Sequence, residues 1–263
     1  MITSTSNAKV KALVNLKKKR KERDKENVFL VEGIRMFREV PADKLKEVYV
    51  SESFYKKEKK LVDEIAGRSK VRVEILADNV FSHVSDTMTP QGILCVVEQM
   101  NYTLENVLSN GEVPHLMVLD NLQDPGNLGT IVRTAEGAGV TGIVMSKETV
   151  DIYNPKVIRS TMGSIYRMPF YYAEDLLAAI AEMKKRNIST YAAHLDGKNS
   201  YDEEDYKKPC AFFIGNEGNG LRDEIADAAD IYIRIPMCGQ VESLNAAIAA
   251  CVLMFEAARQ RRV

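Results

Sequence analysis

Residues 116–139, LMVLDNLQDPGNLGTIVRTAEGAG, decide the fold. An apolar run ends at Asp120, a Pro-Gly turn follows at 125–126, and from Thr130 the segment TIVRTAEGA takes on helical spacing. A buried strand that hands over to a helix through a glycine-bearing turn is the repeating unit of an open parallel sheet. The unit recurs downstream. TGIVMS (141–146), RMPFYY (167–172), STYAAH (189–194), CAFFIG (210–215) and IYIRIP (231–236) read as further strands. NPKVIRSTM (154–162), AEDLLAAIAEMKKRN (173–187) and LRDEIADAA (221–229) read as helices among them. The expected fold is α/β, a parallel sheet covered on both faces. The chain closes with SLNAAIAACVLMFEAARQRR (243–262), in which Leu244, Ile248, Cys251 and Phe255 share one helical stripe. Val252, Leu253 and Met254 spread apolar surface around the rest of the cylinder. Such a helix must bury two faces, one on the sheet and the other, we expect, on a second copy of the chain.

Upstream the same alternation is more compact. NVFLVE (27–32), EVYVSE (47–52), VRVEIL (71–76) and GILCVVE (92–98) read as strands. IRMFREV (34–40), YKKEKKLVDEIAG (55–67) and NVFSHVSD (79–86) read as the intervening helices. This predicts a smaller α/β domain over 1–100. The polar stretch 101–113, with Asn-Gly at 110–111, is the expected linker, and 114–263 the second domain. The first domain opens with one basic amphipathic helix over 7–26, where Val10, Leu13, Val14 and Leu16 alternate with lysines.

The net charge of −1 over 263 residues hides an asymmetry. Residues 1–100 hold 20 Lys/Arg against 15 Asp/Glu, and 9–25 alone hold nine against two. A polyanionic partner or a solvated helix face would each account for that. A composition 45% hydrophobic and 28% charged excludes disorder and fibrous repeats. The longest apolar run, 246–255, is about half the roughly 20 residues of a membrane span. The start, MITSTSNAKVK, has no apolar signal core, so secretion is not expected. Cys95, Cys210, Cys238 and Cys251 show no CxxC spacing and there are three histidines, so no metal site and a reducing, cytoplasmic setting are expected.

Three glycine-bearing loops carry the chemistry. In 119–139 the free N–H groups at the helix start form an anion site, with Arg133 one turn beyond Gly129 and able to reach over it. A phosphate or ribose-phosphate fits this, and so does a simple connector. A dinucleotide turn lacks support, because no GxGxxG occurs. In 212–221, FFIGNEGNGL, three glycines follow an apolar strand, and Glu217 is the loop's only acid. Ligands of open sheets sit beyond such strand ends. In 235–250, IPMCGQVESLNAAIAA, Ser243 reads as the helix N-cap. Asn245 reads as a mid-turn asparagine, a poor helix former without a capping role.

In combination and in this order, DNLQDPGNLGTIVRTAEGAGV, FFIGNEGNGL and IPMCGQVESLNAAIAACVLMFEAARQR resemble the three motifs of the SpoU/TrmH family of the SPOUT superfamily, the RNA 2'-O-ribose methyltransferases. With NPKVIRSTMGSIYRMP between the first two, the likeness covers the whole second domain. VFLVEGIRMFREV and TPQGILCVVE give the first domain a weaker likeness to the family's ribosomal-protein-like RNA-binding fold. The resemblance implies a carboxyl-terminal trefoil knot, an exception to unknotted topology. It implies S-adenosyl-L-methionine held by Gly215, Asn216, Gly218, Ile235, Met237, Gly239 and Leu244. Around the target ribose it implies Asn127, Arg133, Glu217, Ser243 and Asn245, with Glu217 and Asn127 orienting the arginine and the ribose. It also implies a homodimer through the knotted domain, no metal, and RNA contacts at Lys17, Lys18, Lys19, Arg20, Arg23 and Arg35.

A full N-terminal domain leans toward 23S ribosomal RNA over transfer RNA as substrate. Two other functions compete. A nucleotide-dependent oxidoreductase would need the missing dinucleotide fingerprint. A non-catalytic RNA-binding factor would have no use for the intact Asn127, Arg133, Glu217, Ser243 and Asn245.

Overall fold

The protein is described here by a computed structural model covering residues 1–109 and 111–262; Asn110, the first half of the expected Asn-Gly turn, and Val263 lie outside the described residues. Its elements run α1 (Ala8–Lys18), α2 (Arg20–Glu26), β1 (Val28–Glu32), α3 (Ile34–Glu39), β2 (Leu45–Ser51), α4 (Glu52–Ser69), β3 (Val73–Leu76), α5 (Asp78–Val84) and β4 (Ile93–Glu98). There follow α6 (Leu104–Leu108), β5 (His115–Leu119), α7 (Pro125–Gly137), β6 (Gly142–Ser146), α8 (Pro155–Thr161), β7 (Phe170–Ala173) and α9 (Leu176–Lys185). β8 (Ser189–Ala193), β9 (Asn199–Ser200), β10 (Cys210–Ile214), α10 (Asp223–Asp227), β11 (Ile231–Arg234) and α11 (Ala246–Arg261) complete the chain.

Two compact units result: Met1–Met100 with Asp151–Tyr166, and Asn101–Val150 with Arg167–Val263. The first is a four-stranded sheet in the order β1-β4-β2-β3, antiparallel except for the β2–β3 pair. Val10, Leu13 and Leu16 of α1 pack with Leu30, Tyr49, Phe81 and Leu94 in its core. The expected single basic helix is two, parted at Lys19, whose extended backbone has no side-chain cap. Arg23 explains the break. It is buried, its Nη1 donates to the carbonyl of Leu16 at 2.7 Å, and its Nη2 pairs with Asp151 at 2.5 Å. A buried arginine paired in this way is structural, which removes Arg23 from the expected RNA contacts. The Lys17 ammonium is likewise occupied, donating to the carbonyls of Ser85 (2.8 Å) and His83 (3.4 Å) at the carboxyl end of α5. Burial lowers its pKa.

The NPKVIRSTM helix, read from sequence as part of the second domain, packs with the first unit. Tyr153 explains it: its ring lies 4.7 Å from that of Phe29, and its hydroxyl donates to the Met100 carbonyl at 2.8 Å.

The second unit is a seven-stranded, all-parallel sheet in the order β7-β6-β5-β10-β8-β11-β9. β5, β6 and β10 are buried at every residue, as near-continuous apolar runs require. The stretch read as a linker contributes α6, capped by a reciprocal Thr103–Asn106 box, and puts Val107 and Leu108 into this core. On α11 the buried stripe is Ala247, Ala250, Leu253, Met254 and Ala257. Of the Leu244–Ile248–Cys251–Phe255 stripe, Ile248 is 51% and Phe255 43% exposed, while Leu244 and Cys251 are half-buried. Among the described residues no helix is long and apolar enough to cross a membrane.

Candidate functional site

Register sets the site. β10 pairs with β5 so that Ile214 stands level with Leu119, which places the loops beginning at Asp120 and Gly215 side by side at the carboxyl end of the sheet. β11 pairs with β8 with Ile233 level with Ala193, so the loop at Ile235 opens at the same end.

The 215–221 loop is tight. Asn216 and Gly220 exchange backbone hydrogen bonds at 2.9 and 3.0 Å, and a Cβ on Gly215 would stand 2.1 Å from the Gly220 carbonyl carbon. Only glycine fits there. The Asn216 side chain accepts from the N–H groups of Gly218 and Asn219 and donates to the Asn121 carbonyl at 2.9 Å. At the loop's exit Arg222 grips the fully buried Asp120, with Nη2 to Oδ1 at 2.7 Å and its own N–H to Oδ2 at 3.1 Å. Sequence reading missed this pair, since two residues 102 positions apart leave no local signal. It also missed the turn 194–197 that ends β8 between β10 and β11. The one hint is Gly197, whose Cβ would lie 2.6 Å from the Ile233 carbonyl carbon.

Glu217 joins this loop to the first. Its carboxylate accepts from the backbone N–H of Gln123 (3.0 Å), the N–H of Asp124 (2.8 Å) and the Asn127 amide (3.0 Å). Burial pushes its pKa up, but the donors from Asn127, Gln123 and Asp124 outweigh burial and hold the carboxyl below its ordinary value. The anion expected at this helix start is therefore partly the protein's own. The helix also begins earlier than its sequence pattern: Asp124 caps the Asn127 N–H at 2.8 Å and Pro125 is its first residue, so Gly126 and Asn127 are helical and no free turn precedes Thr130.

The third loop is joined through Asn245. The Asn245 Oδ1 accepts from the N–H groups of Ala247 (2.9 Å) and Ile248 (3.3 Å), so Asn245, and not Ser243, is the N-cap of α11. Its Nδ2 donates to Asn127 Oδ1 at 3.1 Å. A continuous relay, Glu217–Asn127–Asn245–α11, thus ties all three loops together.

Of the remaining expected site residues, Arg133 lies on the exposed face of α7, with no hydrogen bond or ion pair among the described residues. Glu217 does not orient it; the Glu217 partners are those named above. Ile235, Met237 and Leu244 are half-buried, while Gly218, Gly239 and Ser243 are exposed. A Cβ on Gly239 would meet nothing within 4 Å. Lys18, Lys19, Arg20 and Arg35 are exposed, and Arg20 faces Asp24 at 3.4 Å. Among the described residues no group of three or more His, Cys, Asp or Glu is placed to hold a metal ion.

Comparison with known proteins gives the following. Residues 114–255 match the SpoU rRNA Methylase family, and residues 7–95 match the MRM3-like substrate binding domain. The chain is 33% identical, over 97% of both sequences, to the 23S rRNA (guanosine(2553)-2'-O)-methyltransferase RlmP of Bacillus subtilis. It is similar to the AdoMet-bound rRNA methyltransferase of Sinorhizobium meliloti, with a TM-score of 0.85 and 32% identity over 98% of this chain and 97% of that one. It is also similar to the SpoU methyltransferase AviRb of Streptomyces viridochromogenes in complex with AdoMet, with a TM-score of 0.87 and 25% identity over 97% and 98%.

Proposed function

The chain belongs to the SpoU rRNA methylase family, and on that premise we propose that it transfers a methyl group from S-adenosyl-L-methionine to a ribose 2'-hydroxyl of 23S ribosomal RNA. The observation that carries the reading is the relay through Asn127, which fixes the three loops at one end of the sheet. The residues suit the cofactor. Half-buried Ile235, Met237 and Leu244 beside the open backbone at Gly239 offer apolar walls with directed donors and acceptors, as an adenine needs. Gly215, Asn216 and Gly218 supply the adjoining backbone. S-adenosylmethionine brings a methyl already activated by its positive sulfur.

What remains for the protein is to place the hydroxyl in line and to favour the charge that grows on its oxygen. Arg133, unpaired and exposed, is free to do both by gripping an RNA phosphate and the developing alkoxide. A guanidinium, always protonated in proteins, is a poor base, so its role is electrostatic. Asn127 and Asn245, with amides oriented by Glu217, present polar edges toward the ribose, and Ser243 adds an uncommitted hydroxyl. Lys18, Lys19, Arg20 and Arg35 contact the RNA backbone from the first unit. The knotted closure, a homodimer through the exposed side chains of α11 and a cytoplasmic location complete the reading.

Incubating the protein with labelled S-adenosylmethionine and 23S rRNA, then mapping ribose methylation, tests the activity. Arg133→Lys tests the role: it is expected to lose ~10²–10³-fold in single-turnover rate with cofactor affinity unchanged. A lysine variant with most of the rate would remove the bidentate clamp.

A further inference from the structure

The glycine-bearing loop that follows β10 is fastened at both of its feet to one residue. At its entry the Ile214 carbonyl accepts from the Asp120 N–H at 2.9 Å. At its exit the Asp120 carboxylate takes the Arg222 backbone N–H on Oδ2 (3.1 Å) and the guanidinium beside it. Nε lies 3.0 and 3.1 Å from Oδ1 and Oδ2, and Nη2 lies 2.7 Å from Oδ1. Asp120 is fully buried, whereas the Arg222 side chain is 41% exposed and its Nη1 stands 3.3 Å from Glu224. Both sides of the guanidinium face carboxylates of the chain itself, which commits Arg222 to the protein rather than to an RNA phosphate.

A buried ion pair is a poor source of stability, because desolvation offsets its Coulomb gain. What a planar guanidinium on a carboxylate does supply is direction. The shape of the hairpin 215–221 does not need the pair. Asn216 and Gly220 exchange backbone hydrogen bonds, and Gly215 packs on Gly220 too closely for a Cβ. These internal contacts cannot set how the closed hairpin leans toward the first loop. On that side Asn216 Nδ2 must reach the Asn121 carbonyl, and Glu217 must meet the N–H groups of Gln123 and Asp124. Asn121, Gln123 and Asp124 lie one, three and four positions beyond Asp120, so the same residue anchors both partners of this contact.

We propose that Asp120 and Arg222 are a positioning pair. Their contact sets the lean of the 215–221 hairpin, and through it the place of Glu217 and of the Gly215–Gly218 backbone that holds the cofactor. The inference rests on the methyltransferase reading and adds to it two residues that act through Glu217.

The test uses the full chain, labelled S-adenosylmethionine and deproteinised 23S rRNA, with cofactor affinity from calorimetry and rates from single-turnover methylation. Arg222→Lys keeps a cation beside buried Asp120 and keeps the backbone N–H bond, but a point charge cannot hold a direction. It is expected to lose roughly tenfold in cofactor affinity and tenfold in rate at saturating cofactor and RNA. RNA affinity should be unchanged, and the melting temperature should stay within a few degrees. Asp120→Asn combined with Arg222→Met removes both charges and still offers an acceptor to the backbone N–H at position 222. That variant should fold and show the same two losses. In a Glu217→Gln background Arg222→Lys should cost no more than about a further twofold, because the pair acts through Glu217. A purely structural role would lower melting temperature and binding stoichiometry while the folded fraction kept wild-type affinity and rate. That result, or a full tenfold loss on top of Glu217→Gln, would overturn the positioning pair alone. A wild-type protein that binds no S-adenosylmethionine would overturn the functional reading as well.

Discussion

Glu217 must be an acid rather than an amide because three donors converge on it, two of them backbone N–H groups that cannot turn away. Glutamine would keep one acceptor oxygen but aim an NH₂ at donors. Hydrogen bonds to a charged acceptor contribute about 1.5–3 kcal/mol each, so Glu217→Gln is expected to loosen the first loop and cut kcat/KM at least tenfold. The exposed residue sits outside the core, so the melting temperature should move only a few degrees. The sign of the pH effect follows from the lowered folded-state pKa. A carboxyl held below its unfolded value contributes stability above that value and loses it as pH falls through the folded one. As pH falls through and below the ordinary glutamate range, the wild-type protein should therefore lose more urea stability than Glu217→Gln, and parallel curves would show that the carboxylate is not linked to folding.

Among the elements, α11 separates two duties in one asparagine. Oδ1 caps the helix and Nδ2 reaches Asn127. Asn245→Asp keeps a good cap but turns the donor into an acceptor facing Asn127 Oδ1. Thermal stability should stay within about 0.5 kcal/mol of wild type while methyl transfer falls tenfold or more. Asn245→Ala should lose both, with about 1 kcal/mol from the missing cap. Equal activity in Asn245→Asp and the wild type would show that the relay does not matter. The same helix shows what sequence reading can reach. Its extent and its two apolar stripes were legible, since burial periodicity is local. Which stripe is buried was not, because apolar residues lie on both and only the tertiary packing puts Ala247, Ala250, Leu253, Met254 and Ala257 inside. Ser243 reads as the cap because Ser-x-Asn offers two capping residues, and only where the helix starts, with Asn245 Oδ1 accepting from the Ala247 and Ile248 N–H groups, distinguishes them. In α7 the DPGN segment read as a turn, although Asp at the cap and Pro at the first position also start helices. All six strands expected for the second unit are present, and the two-residue β9 was too short to leave a pattern. The lysine run was legible as charge alone; that Arg23 is buried on Asp151 depends on tertiary contact.

At the scale of the whole molecule, the proposed homodimer would link the site to assembly through the exposed side chains of α11. Ile248 lies one turn past the cap that holds Asn127, so the helix that closes the relay also exposes apolar surface. An isologous pairing about a two-fold axis would set this surface against its own copy, with Cys251 near the middle of the helix. Burying Ile248 and Phe255 from both protomers is worth roughly 1.5–3 kcal/mol per side chain if each is fully covered. Covering that surface would also stiffen the first turn of α11 and, through Asn245, hold the Asn127 amide. Assembly and activity should then fail together. Ile248→Glu with Phe255→Glu is expected to give a monomer in sedimentation velocity and to lose most methyl transfer while its circular dichroism stays native. A monomeric double variant with wild-type turnover would separate the two properties and leave the relay sufficient within one chain.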